Sequence, residues 1–268
     1  MNRDPVTIRA SSFGSLFDCP ARWCAIHLEG RRTPQAGTAA LGTAIHAGTA
    51  VFDRDRVAHQ QPSIEAAKDA AYESIRRPRE ETDWSDDESV DKAERIAVSL
   101  TERYCTLESP RHDFVAVEAS VESLHVTDLG LVLTGHVDRV RRAEEGFGVT
   151  DLKSGKTAVG TDGAAKTKGH GAQLGVYELV AQSATGLPIT APAQIIGLQT
   201  NLTPDKQRIG TGEILGAREV LLGDEGHTGL LAVASQIVHG EAPAFGNPKS
   251  MMCSERYCPA FKTCFWRR

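Results

Sequence analysis

The chain predicts a mixed α/β domain in which a helical first part is followed by a strand meander, then by a helix and a further strand. Three observations carry this. Apolar residues recur at helical spacing up to Pro110, strict alternation replaces that spacing from Val115 to Lys153, and the segments 172–184 and 194–199 read as one more helix and one more strand. With 268 residues, 40% of them hydrophobic, the chain is long enough for a sizeable core in one or two domains.

Taken in order, Ser11 or Ser12 can cap a first helix carrying Phe13, Leu16, Phe17 and Trp23, which Pro20 breaks or restarts. A glycine-tolerant apolar segment covers Thr38 to Asp53, and Ser63 to Arg77 and Asp86 to Leu107 follow with exposed charge. Val115, Val117, Ala119 and Val121 share one face of a strand; Leu131, Leu133, Gly135 and Val137 share one face of the next. A third strand, Gly146 to Lys153, follows a charged turn. The helix Ala172 to Ala184, the strand Gln194 to Gln199 and a helical segment ending near His239 complete the order. No repeat or low-complexity linker interrupts it, so residues 1–110, 111–240 and 241–268 read as three parts of one intertwined domain.

No apolar run approaches the ~20 residues needed to span a bilayer, and the first residues build no apolar signal core. The expectation is a cytoplasmic protein with no membrane partner, whose six cysteines are reduced and, where clustered, bind metal. A net charge of −5 argues against nucleic acid at first sight. Its distribution weakens the objection, because eight carboxylates between Glu80 and Glu94 face only Lys92. The remainder of the chain is slightly basic, and Lys249, Arg256, Lys262, Arg267 and Arg268 stand near the C-terminus against Glu255.

Asp151 and Lys153 lie two apart and so on the same side of their strand. If the hairpin turns midway through its loop, Asp138 falls directly opposite Asp151. Two facing carboxylates repel unless a cation lies between them, and Mg²⁺-like ions take one or two carboxylates plus phosphate oxygens. The adjacent ammonium can hold a water or stabilise charge growing on a phosphate. A surface ion-pair ladder is the alternative from these three residues alone. Gly135, which permits close backbone approach, and Glu118 on the preceding strand favour the site.

The run Leu133-Thr134-Gly135-His136-Val137-Asp138-Arg139-Val140, followed by Val149-Thr150-Asp151-Leu152-Lys153-Ser154-Gly155-Lys156, resembles the PD-(D/E)XK nuclease core of the RecB type. Gly42-Thr43-Ala44-Ile45-His46 resembles that family's upstream helix, whose His joins the metal site. Gln173 and Tyr177, one helical turn apart, resemble its Gln-x-x-x-Tyr motif. The resemblance implies a restriction-endonuclease-like core with a mixed central sheet flanked by helices. It also implies Mg²⁺ or Mn²⁺ held by His46, Asp138, Asp151 and the Leu152 backbone carbonyl. Lys153 would act on the attacking water, with Gln173 and Tyr177 orienting Lys153 or substrate, and Glu118 and Lys156 as accessories. Gly155-Lys156-Thr157 imitates the end of a phosphate-binding P-loop, but Thr150 stands where that motif needs Gly.

Cys253, Cys258 and Cys264 lie within twelve residues, so a tetrahedral thiolate site lacks one ligand that must come from elsewhere. Zinc and an iron–sulfur cluster both accept such a set. Cys19-Pro20 and Tyr257-Cys258-Pro259-Ala260-Phe261-Lys262-Thr263-Cys264 resemble the two ends of the iron–sulfur exonucleases of the Cas4 and AddB-like kind. That implies a [4Fe–4S] cluster on Cys19, Cys253, Cys258 and Cys264, although the four residues between Cys253 and Cys258 exceed the commoner family spacing. Cys24 and Cys105 have no partner at ligand spacing. The implied function is a metal-dependent DNA exonuclease acting on single strands or ends, with a recombinase, helicase or CRISPR adaptation protein as partner. A non-cleaving DNA-binding relative and a zinc-stapled nuclease are the alternatives.

Overall fold

The computed structural model describes residues 4–77, 82–84 and 89–267. It is an α/β fold around a six-stranded mixed sheet. Strand β1 (Val6–Arg9) leads straight into α1 (Ala10–Asp18), and after Cys19 the chain restarts as α2 (Pro20–His27) with Pro20 in the first turn, as expected. The helix does not use a serine cap. Arg9 stands at the N-cap, while Ser12 Oγ donates to the Arg9 carbonyl at 2.9 Å and accepts from Trp23 Nε1 at 3.2 Å.

Three helices follow: α3 (Gly37–Val57), α4 (Ile64–Arg76) and α5 (Val90–Arg103). Ser63 and Ser89 cap the last two by accepting N–H groups of Ala66 and Lys92. Gly48 explains why a glycine-rich α3 is tolerated. A Cβ there would stand 2.6 Å from the Ala67 carbonyl, so α3 and α4 can pack only with glycine at that point. The expected start of α5 at Asp86, and much of the acidic run, fall outside the described residues.

The meander consists of β2 (Asp113–Val126), β3 (Leu131–Ala143) and β4 (Gly146–Gly155). After α6 (Gly171–Thr185) come β5 (Ala193–Gln199), β6 (Ile209–Ile214), α7 (Ala217–Leu222) and α8 (Leu230–Val238). Two departures from expectation stand out here. The clean alternation expected from Val115 to Val121 is broken at Val115 by the irregularity between Phe114 and Ala116, and a second irregularity follows it between Val121 and Leu124. Strand β6, which pairs antiparallel with β5, is absent from the expected order, while the helical segment expected to end near His239 is α8.

One face of the sheet packs against α1, α2, α6, α7 and α8 around Phe13, Leu16, Val149, Leu174 and Ile195; the other packs against α3, α4 and α5 around Ile45, Leu100, Leu152 and Ile196. Among the described residues no helix is long and apolar enough to cross a membrane.

Candidate active site and cysteine pocket

The sheet forks at β3. Strand β2 pairs along one edge of β3 from Leu131 to Arg142, so its other edge is shared end to end by β1, opposite residues 131–134, and β4, opposite residues 139–143. Between them, residues 135–138 have no ladder partner on that edge. A Cβ on Gly135 would stand 3.0 Å from Ala10 Cβ and 3.5 Å from the Tyr177 ring, which identifies what approaches this glycine.

The β3–β4 register runs from Ala143↔Gly146 to Arg139↔Thr150, the alignment that a midway turn predicts. One step further, at Asp138 and Asp151, the ladder gives way to side chains. Asp138 Oδ2 accepts the Leu152 N–H at 2.7 Å. Since the N–H and C=O of one extended residue share an edge, the Leu152 carbonyl faces the same gap. His46 of α3 brings Nδ1 to 3.3 Å from Asp138 Oδ1. Burial opposes ionisation of Asp138, but the His46 charge and hydrogen bond, with the Leu152 N–H, outweigh it and hold the carboxyl down at about 2. His46 is raised in turn: burial works against its charge and Asp138 overcomes it.

Asp151, 1% exposed, is shaped differently. Burial pushes its carboxyl up to about 6 against the pull of Lys153, and the Asp138 charge adds to the rise. Lys153 Nζ lies 2.8 Å from Asp151 Oδ2 and donates to Gln173 Oε1 at 3.0 Å, while Gln173 Nε2 donates to the Tyr177 hydroxyl at 3.0 Å. Burial raises the Tyr177 hydroxyl far above the usual phenol range, so it stays protonated. His46, Asp138, Asp151, Leu152, Lys153, Gln173 and Tyr177 therefore converge on one gap, and the fork is what brings them there.

Glu118 and Lys156 are placed otherwise. Glu118, at φ 53°, stands 3.8 Å from Arg139 Nη1, and Lys156 is exposed beyond the end of the β4 ladder. Gly155-Lys156-Thr157 leads into turn rather than helix, so no phosphate-binding loop is built there.

Sequence reasoning missed the buried support beneath the site. Asp53, fully buried in α3, accepts from Arg139 Nε and from the Tyr104 hydroxyl, both at 2.7 Å. Arg139 Nη1 also donates to the Asp138 carbonyl at 2.7 Å, tying the carboxylate-bearing residue to α3. The signal available was one acid, Asp53, closing the apolar stretch Ala50-Val51-Phe52. His170, just before α6, was missed too; burial and the Lys153 charge lower it.

Among the described residues no three His, Cys, Asp or Glu side chains are grouped so as to hold a metal ion. The donor chemistry at the fork nevertheless fits a hard cation. Asp151 Oδ2 is buried, ion-paired to Lys153 and without a well-directed hydrogen bond, and such an atom favours a cation beside it.

The second cluster is the cysteines. Cys19, Cys253, Cys258 and Cys264 line one small cavity of about 20 Å³ at the junction of α1 and α2 with the C-terminal segment, whereas Cys24 and Cys105 do not. All six thiols are free. Burial pushes Cys258 up, and Cys19 and Cys253 are close enough to add to the shift. Thiolate is the donor type that a structural zinc or iron–sulfur group takes, and these four cysteines share one lining. Protein contacts already join the ends: the Asn247 N–H reaches Cys19 Sγ at 3.4 Å, and Arg22 Nε donates to the Tyr257 carbonyl at 2.8 Å.

No curated protein matches the chain significantly in sequence. The family model described as the PD-(D/E)XK nuclease superfamily matches residues 8–265. That match runs through the fork and every residue gathered around it, and the chain accordingly belongs to the PD-(D/E)XK nuclease superfamily.

Proposed function

We propose that the protein is a RecB-type, metal-dependent DNA exonuclease that hydrolyses phosphodiester bonds on single strands or at DNA ends. The observation that carries this reading is the meeting of Asp138 and Asp151 across the fork, with Lys153 held between Asp151 and Gln173. Asp138, Asp151, His46 and the Leu152 carbonyl are the groups that would hold Mg²⁺ or Mn²⁺. A divalent ion there supplies Lewis acidity toward a phosphoryl oxygen and lowers the pKa of a water.

The protein's own residues do the rest. Asp138 arrives ionised and fixed by a backbone N–H, so its charge needs no reorganisation. Lys153, positioned by the Gln173–Tyr177 relay, presents an ammonium to the negative charge that grows on the phosphate under attack. Arg139, locked to Asp53, holds the backbone of Asp138 from behind. A binding module gains nothing from two carboxylates beside phosphate, which weighs against the non-cleaving reading.

The cysteine cavity supports a [4Fe–4S] staple of the kind found in Cas4 and AddB-like exonucleases, with a structural role in recombination, repair, phage or CRISPR-related DNA processing. Aerobic and anaerobic preparations analysed for iron, sulfide and zinc distinguish the cluster from a zinc staple. The test of the activity is cleavage of end-labelled single- and double-stranded DNA with Mg²⁺ or Mn²⁺ and with chelator. Metal-dependent release of short products from an end supports the reading; no cleavage under any metal defeats it.

A further inference from the structure

One apolar-walled cavity is not used by the chemistry above. It has a volume of about 420 Å³ and lies beyond the end of β4, between the first turns of α3 and α5. Leu41, Trp84 and Leu202 form its apolar wall, and Lys92, Lys156 and Asn201 stand on its lining. Neither lysine ammonium has an ion-pair partner among the described residues, and the neighbouring Asp83, Asp91 and Glu94 are paired to Arg256 and Arg76, so the two ammonium groups are the cations on the lining of an apolar, aromatic slot.

The same elements carry the site. Lys156 is three residues past Lys153 on the outgoing strand, roughly 10 Å along it. Leu41 precedes His46 by five residues on α3, roughly 8 Å of helix. A substrate strand whose phosphate lies at the fork therefore has neighbouring nucleotides within reach of the slot.

Apolar walls with one indole, cations at the rim and an amide side chain are the chemistry of an unstacked nucleobase with its phosphates. We propose that this cavity is a nucleobase subsite: Trp84 stacks one unpaired base of the DNA strand, Lys92 and Lys156 meet its flanking phosphates, and Asn201 contacts the base edge. The proposal rests on the nuclease reading and adds to it a physical source of preference for single strands, since a base paired in duplex cannot enter the slot.

The test alters the DNA and the protein in turn. A labelled single strand is made with one abasic position moved along it, and affinity is measured without added divalent ion for wild type, Trp84→Ala and Trp84→Phe. One position should be sensitive in wild type, losing about ten-fold in affinity when its base is absent, as expected for a stacked base. Trp84→Ala should bind every strand as weakly as wild type binds that abasic one, and Trp84→Phe should restore much of the difference. Cleavage by Trp84→Ala should show a raised KM on single strands and an unchanged kcat. Absence of any sensitive position in wild type, or the same sensitivity in Trp84→Ala, overturns the subsite. Because binding is read apart from cleavage, a protein that binds with this pattern but cuts nothing keeps the subsite and loses the nuclease reading.

Discussion

The backbone N–H of Leu152 donates to Oδ2 of Asp138 at 2.7 Å, so a side chain of one strand completes the ladder of the next just where their pairing stops. This bond does two jobs: it satisfies a buried donor at the fork and fixes an ionised carboxylate facing Asp151. Charge and hydrogen bonding at Asp138 can therefore be separated. Asp138→Asn keeps an acceptor for Leu152 but removes the charge, and it should lower metal-dependent cleavage at least about 100-fold with little change in thermal stability. Activity within a few-fold of wild type, measured by end-label release, would remove Asp138 from the site.

Lys153 separates turnover from affinity. Lys153→Met loses the ammonium held between Asp151 and Gln173, so the rate on bound DNA should fall about 100-fold or more, while affinity changes by much less because one phosphate contact among several is lost. Single-turnover rates beside equilibrium binding decide it. Weaker binding with an unchanged rate would make Lys153 a phosphate contact only.

The Asp53–Arg139 pair, both residues at most 1% exposed, predicts a large stability effect. Removing Asp53 alone leaves the buried guanidinium only the more distant Glu118, 3.8 Å away, as a charged partner, so Asp53→Ala should cost about 3 kcal/mol in denaturant unfolding. Arg139→Met added to it should recover part of that loss. A single variant within about 1 kcal/mol of wild type would show that the buried charge finds another partner or water.

Glu178 of α6 contributes, beside Asp151, to the pH dependence of the fold. Burial pushes its carboxyl up to about 7, against Arg218, whose Nε lies 3.6 Å away, and with Glu219 adding to the rise. The folded state thus binds this proton more tightly than the unfolded chain, whose ordinary value is 4.5. The stabilisation is complete below that value and is lost as pH rises through about 7. Glu178→Gln should remove this dependence and leave the variant more stable than wild type above neutrality by ~1–3 kcal/mol. Parallel melting curves from acid to alkaline pH that never diverge would contradict it.

The cysteine variants divide into two groups. Ser at Cys19, Cys253, Cys258 or Cys264 should lose bound metal and soluble yield together, because a shared group closes most of the chain into a loop. Ser at Cys24 or Cys105 should lose neither, since neither lines the cavity. Metal analysis with melting on all six tests this; bleaching confined to Cys24→Ser would mean another ligand set.

Periodicity and the Asp138–Asp151 alignment made the meander legible, because a tight hairpin fixes register arithmetically. The ordered motifs from His46 to Tyr177 then pointed to the residues that the fork gathers. What escaped was non-local. Strand β1 is only four residues, too short to show a period, and its partner lies more than a hundred residues away. Strand β6 interrupts its branched residues Ile209, Thr211 and Ile214 with glycines at 210 and 212, which weaken the strand signal; a Cβ at Gly210 would clash with the Gly163 carbonyl, so tertiary contact chose the residue. Asp53 and Arg139 lie 86 residues apart, and only the packing of α3 on the sheet joins them.

The most direct test of the central claim is Mg²⁺-dependent digestion of end-labelled DNA by wild type and by Asp151→Asn side by side. Wild type should release short products in proportion to added metal, and the variant, folded and DNA-binding, should be at least about 100-fold slower at every metal concentration. Equal digestion by both proteins would contradict a nuclease centre at the fork.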